Sequence, residues 1–293
     1  MLRNILLIIL LNFSLACWGD TPLIVGVAEE KRVYDRTPVV RALFKKHGDS
    51  WLPINNRSVF QEAGLEKNIN WNLVFDGKNA GSIVSIDPIE SNISSFVRDK
   101  YLSIENEEHF PKLGNKEKRF WNWGGLPENR PIAVNTYPYY EDKEQWKRIR
   151  GPKDLLDLRK KVFSTLHPLV GDAFHCNGAP KWDWDEIEFK LEASEVFKAY
   201  GNKSGSYIVS AGLALKHRSE CDGVLDKSKY PIWFYINREV KLIGYELDLV
   251  EAADFDNDGR VEFIFQHSGY NEDGYTLFES EFESRFDYYW KYH

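Results

Sequence analysis

Short runs of β-branched and aromatic residues, each bounded by turn formers, recur along most of the chain, and this period constrains the fold more than any other feature. In the N-terminal half they are Leu23 to Val27, Trp51 to Ile54 and Trp71 to Phe75, with a return strand over Ser82 to Ile86 after the turn Asp76 to Gly81. Val39 to Lys46 fits either strand or helix. Further runs follow at Ile187 to Leu191, Val196 to Tyr200, Tyr207 to Leu215, Ile232 to Ile236, Val240 to Val250, Val261 to Phe265 and Tyr275 to Phe282. Helical spacing is clearest over Pro152 to Leu166, after a Gly-Pro start. The pattern predicts a mainly β chain of antiparallel sheets, a sandwich, barrel or partial propeller-like arrangement, with one or two short helices. No internal repeat marks a complete propeller.

Composition narrows the function classes. With 15% aromatic residues and 28% charged, the chain has what a packed core needs and lacks the profile of a disordered protein. A net charge of −7 offers phosphate backbones no attraction, so nucleic acid is not an expected partner.

Residues 1–19 read as a signal peptide: Arg3 gives a positive start, Ile5 to Leu15 is apolar, and Ala16 and Gly19 are small. Cleavage after Gly19 makes the mature chain periplasmic or secreted. Ser14-Leu-Ala-Cys17 also resembles a lipoprotein box, which implies an alternative lipid anchor at Cys17 and a membrane-attached form. No later apolar run is long enough for a transmembrane segment. Beyond the signal, the expected regions are an N-terminal β-rich part over 20–150, a helix and irregular connection over 151–184, and a C-terminal β-rich part over 185–293.

In an oxidising compartment Cys176 and Cys221 are expected to form a disulfide, worth roughly 4 kcal/mol in the chain-entropy account. Rival readings make Cys176 a nucleophile beside His175, or a metal ligand with His167 and His175.

The most specific chemistry lies in Asp254-Phe-Asp-Asn-Asp-Gly-Arg-Val-Glu262. Asp254, Asp256, Asp258 and Glu262 place carboxylates at positions 1, 3, 5 and 9 of a tight loop, Gly259 stands at position 6, and Arg260 can add its carbonyl at 7. Calcium takes six to eight such hard oxygens. An EF-hand would carry glutamate at position 12, where this chain has Phe265, and strand-like flanks point to a strand-loop-strand site. The alternative is a solvated turn without an ion.

The stretch Ala252 to Phe265 resembles the calcium loop of FG-GAP and VCBS-type repeats, extracellular β-blades whose aspartates bind calcium. Together with Gly269 to Tyr275, Trp71 to Gly77 and the aromatic close Trp290 to His293, it is also similar to exported bacterial proteins of unassigned function. The resemblance implies a structural calcium ion. This chain has Glu262 where those repeats carry aspartate, which still supplies an oxygen.

Two Trp-x-Trp pairs, Trp121 with Trp123 and Trp182 with Trp184, put both indoles of each pair on one face if extended, where they can stack on sugar rings or fill a core. No nucleophile elbow, P-loop, HExxH or dinucleotide fingerprint occurs. The sequence reading is therefore an exported, calcium-stabilised binding or structural protein with an unknown protein or glycan partner. Catalysis is not assigned. The alternative is a glycosidase-like extracytoplasmic hydrolase using paired carboxylates, with candidates among Asp183, Asp185, Glu186 and Glu188.

Overall fold

Opposite parities of the N-terminal strands feed two different cores, and that alternation builds the first layer. A computed structural model describes residues 22–30, 38–65, 68–75, 78–92, 98–105, 110, 131–135, 146–171, 173–176, 185–214, 231–269 and 272–291. The first seven strands are β1 (Ile24–Glu30), β2 (Pro38–His47), β3 (Ser50–Pro53), β4 (Ile69–Phe75), β5 (Lys78–Asn92), β6 (Arg98–Ile104) and β7 (Ile132–Val134). They run in the order β1-β7-β4-β5-β6-β2-β3, and β1 also pairs with β2. That extra pairing closes six strands into an antiparallel barrel, with β3 attached to the far end of β2.

One parity fills the barrel: Ile24 and Ala28, Val40 and Ala42, Ile69, Trp71 and Leu73, Ile83, Leu102 and Ile104, and Ala133. Inside it the Trp71 indole donates to Ser85 Oγ at 2.8 Å, satisfying its buried N–H. Phe60, on the short helix α1 (Arg57–Glu62), joins the same cluster. Gly26 sits opposite a bulge in β2 at Leu43, and a Cβ on it would lie 2.5 Å from the Arg41 carbonyl oxygen. Only glycine allows β1 and β2 to close there.

The other parity, with Val25, Val27, Phe44, Ile132 and Val134, faces out and packs on a second sheet. This central sheet runs β15 (Leu247–Ala253), β16 (Glu262–Gly269), β17 (Glu272–Glu279) and β18 (Ser284–Lys291) in sequence order. It answers with Val250, Ile264, Tyr275, Leu277 and Tyr288. Its opposite face packs through Phe263, Phe265 and Phe278 on Ile208, Trp233 and Ile243 of an outer sheet. Burial on both faces explains why β16 and β17 are buried almost continuously instead of alternating.

The outer sheet runs β14 (Val240–Tyr245), β13 (Ile232–Ile236), β12 (Tyr207–Leu213), β11 (Ser194–Gly201) and β8 (Lys147–Arg148). Its far side is covered by α2 (Pro152–Val170), which buries Leu158, Val162 and Leu166 at helical spacing. Pro152 stands in the first turn, where its missing N–H costs nothing, and Gly171 ends the helix at φ 95°. The molecule is thus layered as barrel, central sheet, outer sheet and helix. A separate ribbon pairs β9 (Ala173–Cys176) with β10 (Asp185–Glu188).

The fold is mainly β and antiparallel, with two packed sheets as the sandwich component. Several boundaries differ from the sequence reading. Val39 to Lys46 is strand. The 76–81 turn is shorter than expected, because β5 resumes at Lys78 opposite Phe75. The run Val240 to Val250 is two strands, broken at Glu246, whose φ of 58° turns the chain from the outer sheet into the central one. Tyr275 to Phe282 ends in a turn with Glu281 and Phe282 at positive φ, which leads into β18. The helix continues past Leu166 to Val170, and β9 lies inside the region 151–184 expected to hold only a helix and an irregular connection. Among the described residues no helix is long and apolar enough to cross a membrane.

Candidate metal centre

The acidic loop joins β15 to β16 at one end of the central sheet, and the Ala253–Glu262 pair closes its base. Phe255, 1% exposed, anchors the loop in the core between barrel and central sheet. The backbone reverses through Asn257 at φ 60° and Gly259 at φ 90°, left-handed positions that suit those two residues. Loop amides then point at its own carboxylates. Gly259 N donates to Asp254 Oδ2 at 2.9 Å, Asp258 N to Asp256 Oδ1 at 3.2 Å, and Phe255 N to Glu262 Oε2 at 2.6 Å.

This wrapping brings three of the expected ligands together. Asp254, Asp256 and Glu262 each offer an oxygen, all within 4.8 Å of one another. Asp254 and Glu262 are 2% and 1% exposed. The other two expected residues turn to each other: Arg260 Nε donates to Asp258 Oδ2 at 2.7 Å and Arg260 N to Asp258 Oδ1 at 2.8 Å. The fifth-position carboxylate is thereby held in an exposed ion pair with a side chain two residues on.

Lys46, at the end of β2, reaches across from the barrel. Its Nζ lies 2.5 Å from Asp256 Oδ2 and 3.7 Å from Glu279 at the end of β17, and sits over the Trp51 ring at 4.9 Å. Neither Lys46 nor Glu279 carries a local sequence signal for this role. Lys46 comes from a strand distant in sequence and is placed by the packing of barrel on central sheet, whereas Glu279 is placed by the pairing of β17 beside β16.

The electrostatics follow from burial and crowding. Burial, then the charges of Asp256, Asp254 and Asp258, push the Glu262 carboxyl up to about 9, against the pull of the Phe255 N–H. Partial burial works against ionisation of Asp258 as well, but the hydrogen bonds and charge of Arg260 hold it below the usual carboxylate range. Burial disfavours the Lys46 ammonium, yet Asp256, with Glu279 and Glu262 behind it, keeps its pKa above the ordinary value.

The donor set is oxygen only, which suits a hard divalent cation such as calcium or magnesium. A divalent charge at the triad would hold Glu262 ionised, and so remove the cost of crowding three carboxylates. The residues present therefore fit a cation of this class.

Other expected positions are placed unevenly. Cys176 lies on β9 opposite Asp185, and His175 opposite Glu186, whereas Cys221 lies outside the described residues. Cys17, Trp121, Trp123, Trp182, Trp184 and Asp183 also lie outside them. Glu188 is exposed and pairs with Lys190. No protein-family model matches the chain, and no curated protein or solved structure matches it.

Proposed function

We propose that this chain is an exported, calcium-stabilised β-rich protein that acts by binding a protein or glycan partner. The buried convergence of Asp254, Asp256 and Glu262 carries the calcium part of this reading. The ion's role is structural: it secures the loop between two strands of the sheet that touches both neighbouring layers. The signal-like residues 1–19 support export, and an oxidising compartment supports a Cys176–Cys221 disulfide. A site with few protein carboxylates suits compartments where calcium is abundant.

Thermal melts of the full chain in calcium and in chelator test the proposal. Calcium raises the melting temperature through binding to the folded state, and Asp256→Ala abolishes the rise. Superimposable wild-type melts in the two buffers would refute it.

A further inference from the structure

We infer that the Lys46 ammonium is a built-in competitor for the metal at Asp256, so that metal binding and the barrel's ionic grip on the acidic loop exclude each other. The inference rests on the calcium reading of the same loop. Its own ground is the geometry of Asp256, both of whose oxygens are engaged: Oδ1 by the Asp258 N–H at 3.2 Å and Oδ2 by Lys46 Nζ at 2.5 Å.

A cation held jointly by Asp254, Asp256 and Glu262 takes an Asp256 oxygen, and so lies beside the ammonium. Like charges at such separations in a largely dry site repel strongly. The Lys46 side chain is 15% exposed and Asp256's 6%, so little water screens them. Lys46 has somewhere to go, because Glu279 lies 3.7 Å from Nζ and does not belong to the triad. Its backbone stays fixed meanwhile: Lys46 N donates to Leu23 O at 2.8 Å, and the residue pairs with Trp51 in the β2–β3 hairpin. Exchange thus moves one side chain and trades an intramolecular cation for a bound one. The lysine offsets the Asp256 charge when metal is scarce, and lowers the affinity of the site when metal is present.

Equilibrium dialysis with calcium alone tests this on the full chain and on Lys46→Gln. The variant is expected to bind about tenfold tighter than wild type, the scale of removing one nearby charge. Equal or weaker affinity in the variant, with wild type binding, overturns the competition and leaves the calcium reading standing. Binding by the variant alone supports the competition and overturns calcium loading of the natural chain. Absence of binding by both overturns the two together. Should Lys46→Gln fail to fold, acetylation of Lys46 in wild type gives the answer: calcium is expected to raise labelling several-fold, and unchanged or reduced labelling overturns the proposal.

Discussion

The central sheet has two faces built on different principles. Towards the outer sheet it is aromatic: Phe265 meets Trp233 edge-on at 5.3 Å and Phe278 at 5.6 Å, and Phe263 stacks on Phe282 at 4.6 Å. The Trp233 indole N–H is satisfied by Leu247 O at 2.7 Å. Towards the barrel the same sheet mixes apolar contacts with buried charge. Arg41 Nε donates to Glu29 Oε1 at 2.6 Å, Tyr275 OH donates to Glu29 Oε2 at 2.9 Å, and the Arg41 guanidinium lies 4.1 Å from the Trp290 ring centre. Lys46 and Asp256 add a second ion pair at its end. One interface is held by area and ring geometry, which solution conditions barely touch. The other depends on groups that respond to protons and salt and, on the calcium reading, to metal.

The aromatic face should show the largest single effect. Phe265→Ala is expected to cost about 4 kcal/mol in denaturant unfolding, with the same loss in chelator and in calcium. A loss that depended on calcium would break the distinction between the faces. Next comes the buried pair: Arg41→Met leaves the Glu29 carboxylate without its cation and is expected to cost about 3 kcal/mol. Glu29→Gln added to Arg41→Met should restore part of that stability, since the remaining partner no longer carries charge. No recovery in the double variant would show that the pair acts through packing alone.

The effect most specific to the barrel side is a dependence on pH. With its carboxyl pushed up to about 9 from 4.5, Glu262 makes the folded, metal-free chain bind a proton that the unfolded chain has lost. Its contribution is full below the ordinary carboxyl pKa and is lost as pH rises through the folded value. In chelator the melting temperature should therefore fall by roughly ten degrees between pH 5 and 9. Calcium or Glu262→Gln should flatten that slope. A slope that survives Glu262→Gln would move its origin elsewhere.

Much of the outer and central sheets was legible in the sequence, because Ile232 to Ile236 and Phe263 to Phe265 are continuous apolar runs that suit buried strands. The barrel was less so. β7 is three residues long, and nothing local tells that Ile132 to Val134 fits between β1 and β4. Glu246 gives no warning that it adopts a left-handed turn, since glutamate is not a residue that favours one. The acidic loop announced itself through spacing, and Asp254, Asp256 and Glu262 do converge. Spacing could not say that Arg260 would claim Asp258, nor that Lys46 would arrive from another layer. Those outcomes depend on which surfaces meet.

Barrel closure also bears on the order of folding. β1 and β2 are neighbours in sequence, as are β4 and β5, and each pair can form early. The seam at β7 is different: Asn135 Oδ1 accepts from Ile24 N at 2.7 Å across 111 residues, and its Nδ2 donates to Pro22 O at 2.9 Å. Bringing such distant segments together spends chain entropy before any contact repays it, so the last stave should enter slowly, on the millisecond-to-second scale of non-local β topologies. Until it does, the wall that carries Ile132 and Val134 is missing, and the central sheet waits with part of that side uncovered.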